Sequence, residues 1–292
     1  MKRPLAVLLL VTSLLFAGTA PAAEAPRPAL PPHTIPNSAL LVLPRNAAGR
    51  QYQLHISVPA SYAKQTDRRY PVVFVTDAYW DFVKIDAIRG SLTYDKVVPE
   101  FITVGLGYAG EDLDYGNLRR WELSPVAFGD SASGHAADFL RTIETEIIPL
   151  IEREYRIDSA HRVLAGASLG GLFTLYAMYT KPELFHAYIA ATPAVVLGND
   201  WLLGYEEAFA KSGRPLNVRL YVAGGGNESP GFLGGIKRFN ERILSRKHAG
   251  LAYEFRIIEG ERHAGGQFEA YVRGLRFVFA PIAPETGVSS SP

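Results

Sequence analysis

The stretch Val163-Leu164-Ala165-Gly166-Ala167-Ser168-Leu169-Gly170-Gly171-Leu172-Phe173 constrains this chain more than any other. An apolar run stops at Gly166, and apolar residues at helical spacing (Leu172, Phe173, Leu175, Tyr176, Met178) begin directly after Gly171. That pattern predicts a strand, a sharp turn and a helix, with Ser168 at the apex. Strand and helix nearly touch at such a turn, so the flanking residues must be tiny, and Gly166, Ala167, Gly170 and Gly171 meet the demand. The turn lifts the serine hydroxyl past the sheet edge and points backbone N–H groups at it, with the amide of Leu169 placed as one oxyanion donor. The bland alternative is a glycine-rich turn with an incidental serine. The strand-turn-helix context favours a nucleophile.

The rest of the chain supplies the sheet around that turn. Apolar or alternating runs at 52–59, 71–76, 101–107, 188–193, 218–223 and 253–258 predict strands, and helical spacing predicts helices over 138–155, 201–210, 235–246 and 268–279. This order is that of an α/β domain with a mostly parallel central sheet and helices on both faces. The loop after the 71–76 strand then lies beside the Ser168 turn, so a second oxyanion N–H is expected from Ala78 or Tyr79. Asp77 is equally well placed to cap a helix. His55 is expected on the polar side of its strand. Between Tyr108 and Gly134 the periodicity stops, which predicts a long irregular flap carrying Arg119, Arg120, Trp121 and Phe128.

Composition narrows the chemistry. The chain has no cysteine, which excludes thiol catalysis and cysteine-ligated metals. A formal net charge of +1 gives no sign of a nucleic-acid partner. Lys2 and Arg3, the apolar run Leu5 to Ala17 and the Ala20-Pro21-Ala22 site predict a secretory signal peptide over 1–22. Its removal takes the formal charge from +1 to −1, through the loss of Lys2 and Arg3. A proline-rich leader is expected over 23–37, one domain over 38–281 and a flexible tail over 282–292. A membrane anchor is the alternative reading of that N-terminal run, and no other run is long and apolar enough to span a bilayer. From the signal peptide the expected location is the periplasm, with no membrane partner after cleavage.

A serine hydroxyl needs a base. Of the seven histidines, His263 alone stands just past the carboxyl end of a predicted strand, in a glycine-rich turn. Glu228, five residues beyond the preceding strand, is the first candidate to orient it. Asp200, Glu207 and Glu259 remain alternatives, as does a Ser-His pair. Gly224-Gly225-Gly226 lacks the lysine and helix start of a phosphate loop.

Several segments together resemble the esterase D / enterochelin esterase family of α/β-hydrolases. They are Glu146-Ile147-Ile148-Pro149-Leu150-Ile151-Glu152, Tyr155-Arg156, His161 through Phe173, Tyr70 through Asp77, Glu259 through His263, and Arg273 through Phe277. The resemblance spans roughly residues 40 to 280. It implies the α/β-hydrolase fold, Ser168 as nucleophile, His263 as base and Glu228 at the acid position. Arg119-Arg120-Trp121-Glu122-Leu123-Ser124-Pro125 is similar to a family segment that suggests Arg119, with Arg120 beside it, as substrate-binding. The chain departs from the family where Ala167 stands in place of a frequent histidine, and where no tryptophan follows Thr192-Pro193-Ala194. The expected activity is hydrolysis of a small-molecule carboxylic ester through an acyl-serine, without metal or organic cofactor. Export and the resemblance together suggest an enterobactin-type siderophore trilactone, with Arg119 and Arg120 supplying charge and Trp121, Tyr79 and Trp80 supplying ring contacts. An acyltransferase using the same acyl-serine and a silent binding protein are the competing expectations.

Overall fold

The structure is a computed structural model, which describes residues 33–46, 48–129 and 133–284. The expected signal peptide, most of the leader and residues 285–292 of the tail lie outside the described residues.

The strands are β1 (Ser38–Val42), β2 (Tyr52–Ser57), β3 (Tyr70–Val75), β4 (Ile102–Tyr108), β5 (Ile157–Ala167), β6 (Ala187–Ala191), β7 (Arg219–Gly225) and β8 (Ala252–Ile258). The helices are α1 (Ala78–Tyr94), α2 (Tyr115–Leu123), α3 (Ala136–Thr142), α4 (Ile148–Glu154), α5 (Leu169–Thr180), α6 (Leu197–Lys211), α7 (Pro230–Arg246) and α8 (Gly266–Phe279). One sheet runs β1-β2-β4-β3-β5-β6-β7-β8. β2 is antiparallel to β1 and β4, and every other neighbouring pair is parallel.

The two-residue period of a strand divides the core into two layers. Phe74, Leu164, Tyr188, Ala190, Leu220 and Val222 pack under α3 to α7. Their neighbours Val73, Val75, Val163, Ala165, Ile189, Tyr221 and Ala223 pack under α1 and α8. Central strands buried on both faces read as unbroken apolar runs, which is why the sequence displayed them so clearly.

Several elements differ from expectation. The 108–134 segment is not wholly irregular, because α2 lies within it, started by Asp114, whose side chain accepts from the Asn117 N–H at 3.0 Å. Its inner face is Glu122 and Leu123 rather than an apolar stripe. Tyr52 donates to Glu122 Oε1 at 2.8 Å, and Arg50 lies 3.7 Å away. Burial outweighs these partners and pushes the Glu122 carboxyl up to about 7.

The helix expected over 138–155 is broken by a π-helical turn, Ile143–Ile147, just before Pro149, which has no N–H for a regular ladder. α6 starts earlier than expected, through three residues in left-handed conformation, Gly198, Asn199 and Asp200. β1 adds an edge strand at the start of the 38–281 domain, where no strand was expected. His55 stands on the polar side of β2, as expected, with Gln53 Nε2 3.2 Å from its Nε2, and that side is half-buried under α1, with the His55 ring 5.6 Å from that of Phe82. Burial lowers its pKa.

Candidate active site

The turn between β5 and α5 is as tight as its glycines require. Ser168 has φ 58° and ψ −117°, a conformation that costs a non-glycine residue about 1–3 kcal/mol. Three backbone hydrogen bonds hold it there. Ser168 N–H donates to Ala191 O, and Ser168 O accepts from Leu172 and Ala194, each at 3.0 Å. A Cβ on Gly170 would lie 2.1 Å from Thr76 Oγ1, so the end of β3 presses directly on the Ser168 turn. Leu169 opens α5, and its N–H therefore has no acceptor within the helix.

His263 and Glu228 come from the turns after β8 and β7. These turns are tied together: Asn227 N–H donates to Glu261 O at 2.8 Å, and its side-chain amide donates to Gly260 O at 3.0 Å. They also touch so closely that a Cβ on Gly225 would sit 2.6 Å from Glu261 O. His263 Nδ1 lies 2.9 Å from Glu228 Oε1. A carboxylate only accepts, so Nδ1 carries the proton and Nε2 is left as the basic nitrogen. Glu228 is 5% exposed and His263 39%, an arrangement of buried acid and accessible imidazole. Phe232, in the first turn of α7, sets its ring edge-on to the imidazole at 4.9 Å. Two of the alternative acids are engaged elsewhere: Arg238 pairs with Asp200 at 2.5 Å and Lys211 with Glu207 at 2.8 Å. The third, Glu259, makes no hydrogen bond to His263. Among the described residues, Glu228 is the carboxylate that meets His263.

The first turn of α1 carries what sequence reasoning missed. Asp77 occupies the N-cap position in left-handed conformation (φ 54°, ψ 49°), yet its side chain caps nothing. Both of its oxygens are taken by Arg119 of α2, Nε to Oδ1 at 2.8 Å and Nη2 to Oδ2 at 2.9 Å. One turn later, Lys84 donates to Asp81 Oδ1 and Gln267 Oε1, both at 2.6 Å, and Tyr271 donates to Asp81 Oδ2 at 2.5 Å. Burial raises the Asp81 carboxyl above its ordinary value, against the pull of the Lys84 charge. α2 and α8 thus grip the same end of α1. The Asp81/Lys84 spacing was visible in the sequence, but Gln267 and Tyr271 were too remote to connect with it.

A cleft of ≈ 380 Å³ brings Ser168, His263, Asp77, Trp80, Lys84, Arg119 and Gln267 onto one surface. Trp80 lines it, and Phe268, next to the lining residue Gln267, is an exposed ring, as is Tyr79 next to Trp80. Each cleft cation lies near one of these rings, Arg119 at 5.7 Å from Trp80 and Lys84 at 5.7 Å from Phe268. Ala78 and Tyr79 supply the first two amides of α1, which have no acceptor within the helix. Their side chains line a small neighbouring recess. Arg120 and Trp121, expected at the cleft, are absent from its lining. The Arg120 guanidinium is 6.0 Å from the Phe128 ring, while Trp121 is stacked on His135 at 3.7 Å with Arg50 over it at 4.1 Å. Two residues past Arg119, Trp121 is rotated by about 200° around the helix, and so faces away from the cleft.

Residues 45–222 match the Esterase family. The chain belongs to the Esterase family. This esterase is 29% identical over 273 residues to ferri-bacillibactin esterase BesA of Bacillus subtilis (strain 168), covering 86% of this chain and 92% of that protein. It is 29% identical over 187 residues to the siderophore triacetylfusarinine C esterase of Aspergillus fumigatus, covering 62% of this chain and 64% of that one. Among solved structures, the BES protein from Bacillus cereus superposes with a TM-score of 0.78 at 26% identity, over 86% of this chain and 99% of that one. The fold is that of the α/β-hydrolases, and the protein is a carboxylic-ester hydrolase.

Proposed function

We propose that this esterase hydrolyses a siderophore ester of the catecholate trilactone type through an acyl-serine intermediate. The observation that carries the chemistry is the Glu228–His263 hydrogen bond at the cleft that also holds Ser168. Ser168 Oγ attacks the ester carbonyl carbon while its proton passes to His263 Nε2. The amides of Leu169 and of Ala78 or Tyr79 hold the oxyanion, and Glu228 steadies the imidazolium through Nδ1–H. Collapse of the tetrahedral adduct breaks the C–O bond, and His263 returns the proton to the leaving alkoxide. Water then repeats the sequence, with His263 as base, and releases the carboxylic acid from Ser168.

The siderophore class is supported by the named relatives and by the open, ring-bearing rim, where Trp80 and Phe268 offer flat surfaces to aromatic substrate groups. Both cleft cations already have carboxylate partners, so the rings rather than free charge set the preference for such a substrate. The basic, apolar and Ala-rich character of residues 1–22 supports export to the periplasm. Among the described residues, no helix is long and apolar enough to cross a membrane. The test compares kcat/KM for ferric enterobactin with that for p-nitrophenyl acetate, in wild type and in Trp80→Ala/Phe268→Ala. The expected result is a loss of at least tenfold confined to the siderophore. Wild type that leaves the siderophore intact while hydrolysing the acetate would remove the substrate assignment.

A further inference from the structure

Arg119 lines the cleft, which invites its reading as a receptor for substrate anions. Its hydrogen bonds point elsewhere. The guanidinium spends Nε and Nη2 on the two oxygens of Asp77, whose side chain is 4% exposed. An aspartate at a helix N-cap ordinarily turns its carboxylate onto the first amides of that helix, and here it does not. It is held instead by a residue 42 positions later in the chain. Two consequences follow. The amides of Ala78 and Tyr79 are left free of a side-chain cap, and the left-handed backbone at Asp77 is fixed from outside its own helix. The Asp77 carbonyl still starts α1 by accepting from Trp80 and Asp81 at 2.9 and 3.0 Å. Asp77 is also in register with the Ser168 turn, since a Cβ on Gly170 would meet Asp77 Oδ2 at 3.1 Å.

We infer that Arg119 is a positioning residue for transition-state stabilisation. Acting through Asp77, it locks the β3–α1 turn so that the first amides of α1 stay uncapped and aimed at the developing oxyanion. This deepens the proposed function and rests on Ser168 being the nucleophile. A substrate-anion receptor would act on KM, and selectively on anionic esters. A brace for the oxyanion amides acts on kcat, and equally on all esters.

The experiment measures kcat and KM for neutral p-nitrophenyl acetate and for anionic mono-p-nitrophenyl succinate. The proteins are wild type, Ser168→Ala, Arg119→Ala, Arg119→Lys, Asp77→Asn and the Arg119→Ala/Asp77→Asn double variant, each checked for folding by circular dichroism. Arg119→Ala should lower kcat about 10- to 100-fold on both esters, a fraction of what removing an oxyanion donor costs, with KM within about threefold. Arg119→Lys keeps the charge but not the two-pronged grip, so it should fall between wild type and Arg119→Ala. The double variant should be no worse than the worse single one, because both break the same link. A KM increase confined to the succinate, or near-normal kcat in Arg119→Ala, overturns the inference while leaving the nucleophile assignment intact. Should Arg119→Ala fail to fold, Arg119→Lys and Asp77→Asn decide the question by the same split. Wild-type turnover that persists in Ser168→Ala would overturn both readings.

Discussion

Replacing Gly170 by alanine tests how the two halves of the proposed oxyanion site are held together. The new Cβ would lie 2.1 Å from Thr76 Oγ1, 3.1 Å from Asp77 Oδ2 and 3.3 Å from Thr76 Cβ. Restoring an ordinary contact requires the end of β3 and the Ser168 turn to part by roughly 1 Å. Overpacking of this kind costs about 1–3 kcal/mol, and the better helix propensity of alanine returns about 1 kcal/mol of it. The net loss of stability is therefore about 0–2 kcal/mol. The catalytic loss is larger, because a displacement of about 1 Å between reacting and stabilising groups can cost about 100-fold in rate. Thr76→Ala offers a rescue. Among the described residues Thr76 Oγ1 is buried without a hydrogen-bond partner, so removing it strands nothing and leaves 3.1 Å as the closest approach. Gly170→Ala should thus retain its fold by thermal unfolding but lose about 100-fold in kcat for p-nitrophenyl acetate, and Gly170→Ala/Thr76→Ala should recover at least about tenfold of that. Full activity in the single variant, or no recovery in the double one, would refute the claim that this contact sets the spacing.

Two further outcomes follow from the buried carboxylates. Glu228→Gln keeps the shape of the acid but cannot stabilise the imidazolium, so kcat should fall by about 10²–10⁴ with KM little changed, as steady-state kinetics would show. Glu122, pushed up to about 7 in the folded protein, binds more protons folded than unfolded between its ordinary carboxyl value and that point. Its contribution to stability is accordingly greatest at low pH and is lost as pH rises through that window, by up to about 3 kcal/mol. Glu122→Gln should flatten the pH dependence of urea unfolding and narrow the gap to wild type, or reverse it, above pH 7. An unchanged slope would show that Glu122 is charged in the folded state.

The parts of the site that were legible in the sequence are those written locally. The Ser168 turn displayed its own steric demand in four small residues. Glu228 follows β7, whose two-sided burial made it an unbroken apolar run, while His263 follows the edge strand β8, which showed only as an alternating run. α2 was missed because its buried face is a glutamate held by Tyr52, 70 residues away, and no apolar period announces such a face. The same limit hid the Asp81–Lys84–Gln267–Tyr271 cluster, whose members span 190 residues. Asp77 was rightly placed at the start of a helix, but the partner of its carboxylate lies on α2. Arg119 lines the cleft, but its charge goes to that aspartate. Arg120 and Trp121 were expected beside it because they are adjacent in sequence, and the helical turn of α2 carries them to other surfaces.

The central claim is that Ser168 is the nucleophile and His263 its base. A fluorophosphonate reacts with a serine only where that hydroxyl is activated, so the decisive measurement is peptide mass spectrometry of the labelled, folded protein. One adduct is expected, on Ser168, lost in Ser168→Ala and formed far more slowly in His263→Ala. Labelling of another residue, or labelling of Ser168 at an undiminished rate without His263, would contradict that claim.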